Sequence, residues 1–133
     1  MLSRGAITAG NVSVANNGTL IIGPAYVDAY AMESENAIYA RTIVSDSFLA
    51  ETKDHLTFNY IKEDTDKTCY IDYIHYIIDK HEIDSRRIHK ILVEQGICDE
   101  LNKRYNAKNT PKISVRQKYG WTISLLKQNE IDL

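Results

Sequence analysis

The best candidate for chemistry in this sequence is an arginine at the start of a predicted strand. Arg41 precedes the β-branched run Thr42–Val44, so a permanent positive charge stands where the chain enters a sheet. A guanidinium group in that position can bind a phosphate through paired N–H donors. It can equally form a structural ion pair with Glu33 or Glu35, and the sequence leaves both alternatives open.

Two tyrosines are the candidate contacts for a nucleotide base. Tyr26 and Tyr30 are four residues apart, which puts both rings on one face of a helix. The rings can stack on a base or pack against the sheet, and packing is the favoured alternative. With Arg41 they are the predicted substrate- and phosphate-binding residues, and we predict no catalytic or metal-binding residue.

Other reactive residue types lack the spacing of a site. Asp64 and Asp66 begin a calcium-loop pattern that no Gly or distal Glu completes, so we expect a solvated turn. Cys69 and Cys98 have no ligand-like spacing and are expected to be reduced and buried. We therefore expect this chain alone to bind no cofactor. His75 and His81 are six residues apart and do not share a helical face, so we expect no metal pair there. A solvated helix face is favoured over a phosphate site for the basic cluster of Lys80, Arg86, Arg87, His89 and Lys90.

The elements that must position these residues are short in the first part of the chain. Asn16-Asn17-Gly18 predicts a tight turn between a strand within 5–14 and a strand over 19–22, the second buried on both faces. Pro24 predicts the first turn of a helix over 24–37, because its missing N–H is not needed there. The helix face expected to pack on the sheet carries Val27, Tyr30, Ala31, Ser34 and Ile38, and the strand 42–44 follows.

The rest of the chain is more charged and has mainly helical periodicity. Asp84-Ser85 predicts the cap of a long helix that reaches Tyr105, with Gly96 as the place for a kink. Asn109-Thr110-Pro111 predicts a break. The remaining predictions are a helix near 47–55, a strand over 57–61, a turn over 63–67, a helix over 70–81 whose start could be a strand, and a helix over 112–127.

These elements predict one α+β domain over 1–133. Residues 1–48 give a partial antiparallel sheet with packed helices, and residues 49–133 give a mainly helical extension. A formal net charge of −2 argues against binding to nucleic acid or to an acidic membrane. No apolar run approaches the length of a membrane span, and we expect a cytoplasmic protein.

The first third of the chain resembles class III nucleotidyl cyclases. Gly5-Ala6-Ile7-Thr8-Ala9-Gly10 matches a strand pattern of that family, and Gly23 to Ser34 matches the length and frame of its helix start. The resemblance is closer to a bacterial branch that includes the pyrimidine cyclases of Pycsar-type anti-phage defence. The matching residues are Arg4, Gly5, Ala6, Ile7, Gly10, Gly23, Pro24, Ala25, Ala29, Tyr30, Glu33, Ala37, Tyr39 and Arg41, with a weaker match at Lys118-Tyr119-Gly120-Trp121.

The resemblance also shows what this chain lacks. Val27 and Ala31 stand where the family has an Asn and an Arg that steady the nucleotide, and Leu20 stands at the position of its base-reading Asp. The metal-binding aspartates belong to an N-terminal half that this sequence does not contain. The resemblance thus implies a partial ferredoxin-like, cyclase-type antiparallel sheet. It also implies a truncated cyclase-like protein that is inactive alone and uses Mg²⁺ or Mn²⁺ only if a partner half completes it.

Two functions follow as hypotheses. One is a fragment of a cyclase-like enzyme, such as an anti-phage pyrimidine cyclase, that acts when a partner supplies the metal half. The other is a non-catalytic nucleotide-binding or oligomerisation module. Both predict a homo-oligomer, because half of a sheet domain leaves an apolar edge and face uncovered.

Overall fold

A computed structural model describes residues 4–55, 59–108 and 112–133. The chain forms two compact units, Met1–Ile71 and Asp72–Leu133. The change in composition near residue 48 does not coincide with this boundary, because two strands beyond it belong to the first unit. Part of the predicted strand over 57–61 and the predicted break at 109–111 lie outside the described residues.

The first unit contains a four-stranded mixed sheet. Its order is β1 (Gly5–Ile7), β4 (Thr42–Val44), β6 (Cys69–Ile71) and β5 (Ile61–Glu63). The α+β class is confirmed, but the sheet is not wholly antiparallel, since β1 and β4 run parallel while β4–β6 and β5–β6 are antiparallel. The parallel pair arises because the chain leaves β1, passes through a hairpin and a helix, and re-enters the sheet from the same end.

A separate hairpin joins β2 (Ser13–Ala15) to β3 (Leu20–Ile22). The turn between them is confirmed: Asn16 and Asn17 both have left-handed backbone angles, with φ of 51° and 55°, which Asn tolerates better than most residues. The expected burial of the second strand is wrong, because every residue of both strands is exposed.

The helix α1 (Pro24–Ala31) continues into a π-helical turn at Met32–Asn36, where the Ala37 N–H donates to the Met32 carbonyl at 3.0 Å. Its predicted inner face is wrong. Val27 is 63 % exposed, whereas Ala25 is buried. The small Ala25 faces the sheet because Gly10 lets the helix approach closely: a Cβ at Gly10 would lie 3.1 Å from that of Ala25.

The short helix α2 (Asp46–Thr52) follows β4 and completes the described helices of the first unit. Ser45 caps it, since its Oγ accepts a hydrogen bond from the Phe48 N–H at 3.1 Å. The cap places Ser45 directly at the carboxyl end of β4.

The second unit is helical over its described residues. It comprises α3 (Tyr73–His81), α4 (Ser85–Glu94), α5 (Ile97–Tyr105) and α6 (Ile113–Gln128). The predicted long helix is interrupted at Gly96, whose φ of 69° separates α4 from α5. The predicted strand start before Tyr73 is observed as β6, and no helix in the described part of the chain is long and apolar enough to cross a membrane. The core of this unit is formed by Ile74, Cys98, Leu101, Ile123, Leu125, Leu126 and Ile131.

Candidate functional site

Arg41 lies just before β4 and is almost fully buried, with 1 % of its surface exposed. Its Nη1 lies 2.5 Å from Asp64 Oδ2, and its Nη2 lies 2.6 Å from Asp66 Oδ2. The ring of Tyr39 lies beneath the guanidinium group, 4.9 Å from Cζ to the ring centroid. The side chain proposed for a phosphate therefore already holds two carboxylates.

The two aspartates are fixed by the turn between β5 and β6. The Asp64 N–H donates to the Thr68 carbonyl at 2.9 Å, and Asp66 Oδ1 accepts from the Thr68 N–H at 3.0 Å. Lys67 has a left-handed φ of 67°, which closes the turn. The turn predicted here is confirmed, but it is not simply solvated, because its carboxylates face a buried cation.

The ion pairs change the titration of the groups they join. The hydrogen bond from Arg41 is the main cause that holds the pKa of Asp66 below its usual range. Burial tends to lower the pKa of Arg41, but the two carboxylates outweigh burial and raise it. Its Nε is buried and has no hydrogen-bond partner among the described residues. Arg41 stays charged and bound to its own turn.

The predicted ion-pair partners of Arg41, Glu33 or Glu35, are wrong. Glu33 instead pairs with Arg4, whose Nε lies 2.7 Å from Oε1, and both side chains are partly exposed. Asp64 and Asp66 are 23 and 25 residues away from Arg41 in sequence, so local spacing could not have identified them.

A polar groove lies at the carboxyl ends of the parallel strands β1 and β4. It consists of two adjoining cavities, about 450 Å³ and about 350 Å³, which share Met32, Asn36, Ser45 and Asp46. The π-helical turn forms part of its wall, and such turns are frequent at functional sites. The carboxyl ends of parallel strands are also a common place for ligands.

Three hydroxyl groups line the groove and bind one another. Ser45 Oγ donates to Thr8 Oγ1 at 2.9 Å and lies 2.8 Å from Ser47 Oγ, which in turn donates to the Ala9 carbonyl at 3.0 Å. No histidine is among the described lining residues. The hydroxyl cluster fastens β1 to the start of α2.

The charges around the groove do not suit a triphosphate. Asp28, Glu35 and Asp46 line it, while Lys67 is exposed and paired with Glu63 at 2.9 Å. Phosphate recognition needs converging cations or a bound metal ion. Among the described residues no group of three or more His, Cys, Asp or Glu side chains could hold a metal ion.

Cys69 also lines the groove, but its thiol is poorly suited to act as a nucleophile. Burial, followed by the charges of Glu63 and Asp46, raises the pKa of Cys69 above its ordinary value. The thiol therefore stays protonated at neutral pH. Cys69 is partly exposed and Cys98 is buried, and neither is in a disulfide.

Tyr26 and Tyr30 lie on the outer side of α1. They are 51 % and 67 % exposed, so the favoured expectation that they pack on the sheet is wrong. Neither ring is among the residues that line the groove. The three predicted site residues are not brought together, because Arg41 is buried under its turn while both rings face solvent.

The tyrosines belong instead to an apolar surface that sequence reasoning missed. We name it the hairpin–helix surface, and each of its members is between 42 % and 67 % exposed. A sequence signal for it exists, because no charged residue occurs between Arg4 and Asp28. Its members are Val12, Val14, Leu20, Ile21, Ile22, Tyr26, Val27 and Tyr30.

No protein-family model, curated protein or solved structure matches this chain. The cyclase resemblance therefore rests on its motif residues. The proposed function is based instead on the geometry of the described residues.

Both faces of the hairpin contribute to the hairpin–helix surface. Val14 lies opposite Ile21 in the register, so these two side chains share one face, whereas Leu20 and Ile22 point to the other. A two-stranded hairpin without a covered face is marginally stable in water. Within the described residues β2 and β3 pair with each other alone, so each also presents an open edge.

Proposed function

We propose that this chain is a non-catalytic oligomerisation module and that its hairpin–helix surface binds a second copy of itself. The observation that carries the proposal is the exposure of eight large apolar side chains, seven of which lie in the stretch 5–27 that contains no charged residue. Exposed apolar surface of several hundred Å² on a protein commonly marks an interaction site.

The area of the surface is sufficient for a stable pair. Eight residues with about half of their surface exposed supply on the order of 800 Å². This is what each partner contributes to a standard protein interface. Exposed strand edges normally carry charges or prolines that prevent pairing, and this hairpin has neither within its strands.

A second copy fits the surface better than a charged partner does. Asp28 is the one charged residue between its first and last members, so it offers little charge complementarity to a different protein. Both faces of the hairpin must be covered, and two copies can do so reciprocally, because each brings its own hairpin and helix.

The proposal also includes a cyclase-like origin for this chain. The motif residues support a cyclase-like origin, with anti-phage pyrimidine cyclases as the nearest branch, and a nucleotide remains a proposed ligand of an assembled form. The pairing of Arg41 with two carboxylates supports inactivity of the chain alone. The reduced cysteines support a location in the cytoplasm.

The test is a pair of matched substitutions followed by sedimentation velocity. Val27→Glu places a carboxylate in the hairpin–helix surface, and Val93→Glu places one on an α4 position that is similarly exposed, 51 % against 63 %. We expect the unaltered chain to be a dimer or larger at tens of micromolar. Val27→Glu should weaken association about tenfold or more, because burial of an unpaired carboxylate costs over about 1.4 kcal/mol.

Val93→Glu should sediment as the unaltered chain does. A stable monomer of the unaltered chain at tens of micromolar would overturn the proposal, and so would equal effects of the two substitutions. The absence of catalysis is tested separately with Mn²⁺ and each of the four nucleoside triphosphates. Cyclic product that disappears in Arg41→Ala would contradict the non-catalytic assignment.

A further inference from the structure

The charges of the chain are unevenly divided between its two units. The first unit has five Lys or Arg residues against nine Asp or Glu, a formal charge of −4, whereas the second has eleven against nine, a formal charge of +2. The small net charge of the whole chain is thus the sum of a negative first unit and a positive second unit. The expectation that the protein does not bind nucleic acid rested on that sum.

The positive charge of the second unit is concentrated in one part of the sequence. Between Glu100 and Glu130 there is no acidic residue, and this stretch contains seven Lys or Arg residues. Six of the seven occur between the last turn of α5 and the middle of α6. We name these six the basic end: Lys103, Arg104, Lys108, Lys112, Arg116 and Lys118.

The packing of α5 on α6 brings the basic end together in space. The Arg104 guanidinium lies over the Tyr119 ring, 5.8 Å from its centroid, and Arg116 Nη2 donates to the Ala107 carbonyl at 2.9 Å. The Tyr105 ring lies against Gly120, where a Cβ would be 2.8 Å from its Cε2. These contacts show that the two helices run in opposite directions, so the end of α5 meets the first half of α6.

Few carboxylates oppose these cations. Glu100 pairs with Arg104, whose Nε lies 2.5 Å from Glu100 Oε1, and both side chains are exposed. Lys103, Lys108, Lys112 and Lys118 have no ion-pair partner among the described residues. The basic end therefore has uncompensated positive charge on its surface.

We infer that the basic end binds single-stranded nucleic acid. Lysine and arginine attract the phosphate backbone, and tyrosines among them offer rings on which bases can stack. Lys112 is the N-cap of α6 and Arg116 is the fourth residue of that helix, so both charges lie at the same end of α6 and can contact the same strand. Tyr105 is 41 % exposed and is held against Gly120, which leaves part of its ring accessible to a base.

A membrane surface fits these residues less well. Insertion into lipid needs a continuous apolar face on an interfacial helix. The large apolar residues exposed in the first turn of α6 are Ile113 and Val115, and two residues of separation place them on different sides of the helix. Lipid is therefore an outcome of the test rather than the inference.

The test uses the full chain and fluorescence anisotropy of labelled oligo-dT and oligo-U of about 16 nucleotides. The pair Lys108→Glu with Lys112→Glu should weaken binding about tenfold or more and reduce its salt dependence between about 50 mM and about 200 mM. The matched control, Lys53→Glu with Lys62→Glu, makes the same change in charge at exposed positions of the first unit. It should lower the affinity much less.

Tyr105→Leu keeps an apolar side chain against Gly120 and removes the ring. We expect a loss of about fivefold or more, equivalent to about 1 kcal/mol for one stacked base. Unchanged affinity in this variant would contradict recognition of bases. The inference is overturned if neither oligonucleotide binds at about 50 mM salt, if the control pair loses as much, or if phosphatidylserine vesicles bind the chain and the oligonucleotides do not.

Discussion

The two units bury charge in different ways. In the first unit Arg41 is compensated by two carboxylates, which come from a turn distant in sequence. In the second unit Asp72 is 3 % exposed and is satisfied by neutral donors: its Oδ1 accepts from the His75 N–H at 3.0 Å, and both oxygens accept from Asn129 Nδ2 at 3.2 Å. The first arrangement depends on opposite charges, and the second depends on the geometry of a helix cap and an amide.

This difference predicts how much stability each unit loses when its buried charged residue, Arg41 or Asp72, is substituted. A buried cation that loses its carboxylates, or a carboxylate that loses its buried cation, is left as an uncompensated charge. This lowers the free energy of unfolding. A capped carboxylate can be replaced by an amide at a smaller cost, because the acceptor oxygen remains. Substitutions in each unit distinguish the loss of a buried ion pair from the loss of a capping carboxylate.

The largest effect is expected for Arg41→Met. The substitution leaves Asp64 and Asp66 without their cation, and we expect a loss of about 2–4 kcal/mol in the free energy of unfolding. Urea denaturation followed by circular dichroism measures it. Arg4→Met is the control, since it removes an arginine from a partly exposed pair with Glu33 and should cost less than about 1 kcal/mol. Similar losses for both variants would show that burial does not distinguish the two pairs.

A smaller effect is expected for Asp72→Ala in the second unit. It removes the cap of α3 and the acceptor of Asn129, at a cost of about 1–2 kcal/mol. Asp84→Ala is the control, because Asp84 caps α4 through the Arg87 N–H at 2.8 Å and binds no comparable side chain in the described structure. Thermal unfolding should show a greater loss for Asp72→Ala, and Asp72→Asn should recover part of it. Equal losses at the two caps would argue against a contribution from Asn129.

The smallest effect is a dependence of stability on pH. The folded-state pKa of Asp66 is lowered, so its contribution is complete above its unfolded pKa of about 3.9 and is lost as the pH falls through the lowered value. Because Asp66 is half-exposed, we expect the contribution to be under about 1 kcal/mol. Denaturation between about pH 6 and about pH 2.5 should show a shallower acid loss in Asp66→Asn than in Asp54→Asn, an exposed control. Parallel curves for the two variants would contradict the role of the Arg41 pair.

Local features of the fold could be predicted from the sequence, and non-local ones could not. Asn16 and Asn17 specify the hairpin turn through their own backbone preferences, and Pro24 specifies the start of α1 in the same way. The inner face of α1 could not be chosen, because alanines on one side and Val27 and Tyr30 on the other give two apolar stripes. The close approach at Gly10 decides between them, and that contact depends on the tertiary structure.

The candidate site illustrates the same limit. The sequence offers a phosphate, or Glu33 or Glu35, as the partner of Arg41. The structure pairs it instead with two aspartates of a later hairpin that packs beside β4. The hairpin–helix surface was overlooked because apolar strands are normally assigned to the core. The absence of charges between Arg4 and Asp28 is compatible with either location.

The hairpin turn also contains a residue that is prone to spontaneous deamidation. Asn17 is exposed and precedes Gly18, the sequence in which the backbone nitrogen most readily attacks the side-chain amide and expels ammonia. Deamidation leaves Asp or isoaspartate, so it adds a negative charge to a hairpin that has none. We therefore expect stored protein to lose gradually the self-association proposed above, and a mass increase of about one dalton at Asn17 would mark the molecules that have changed.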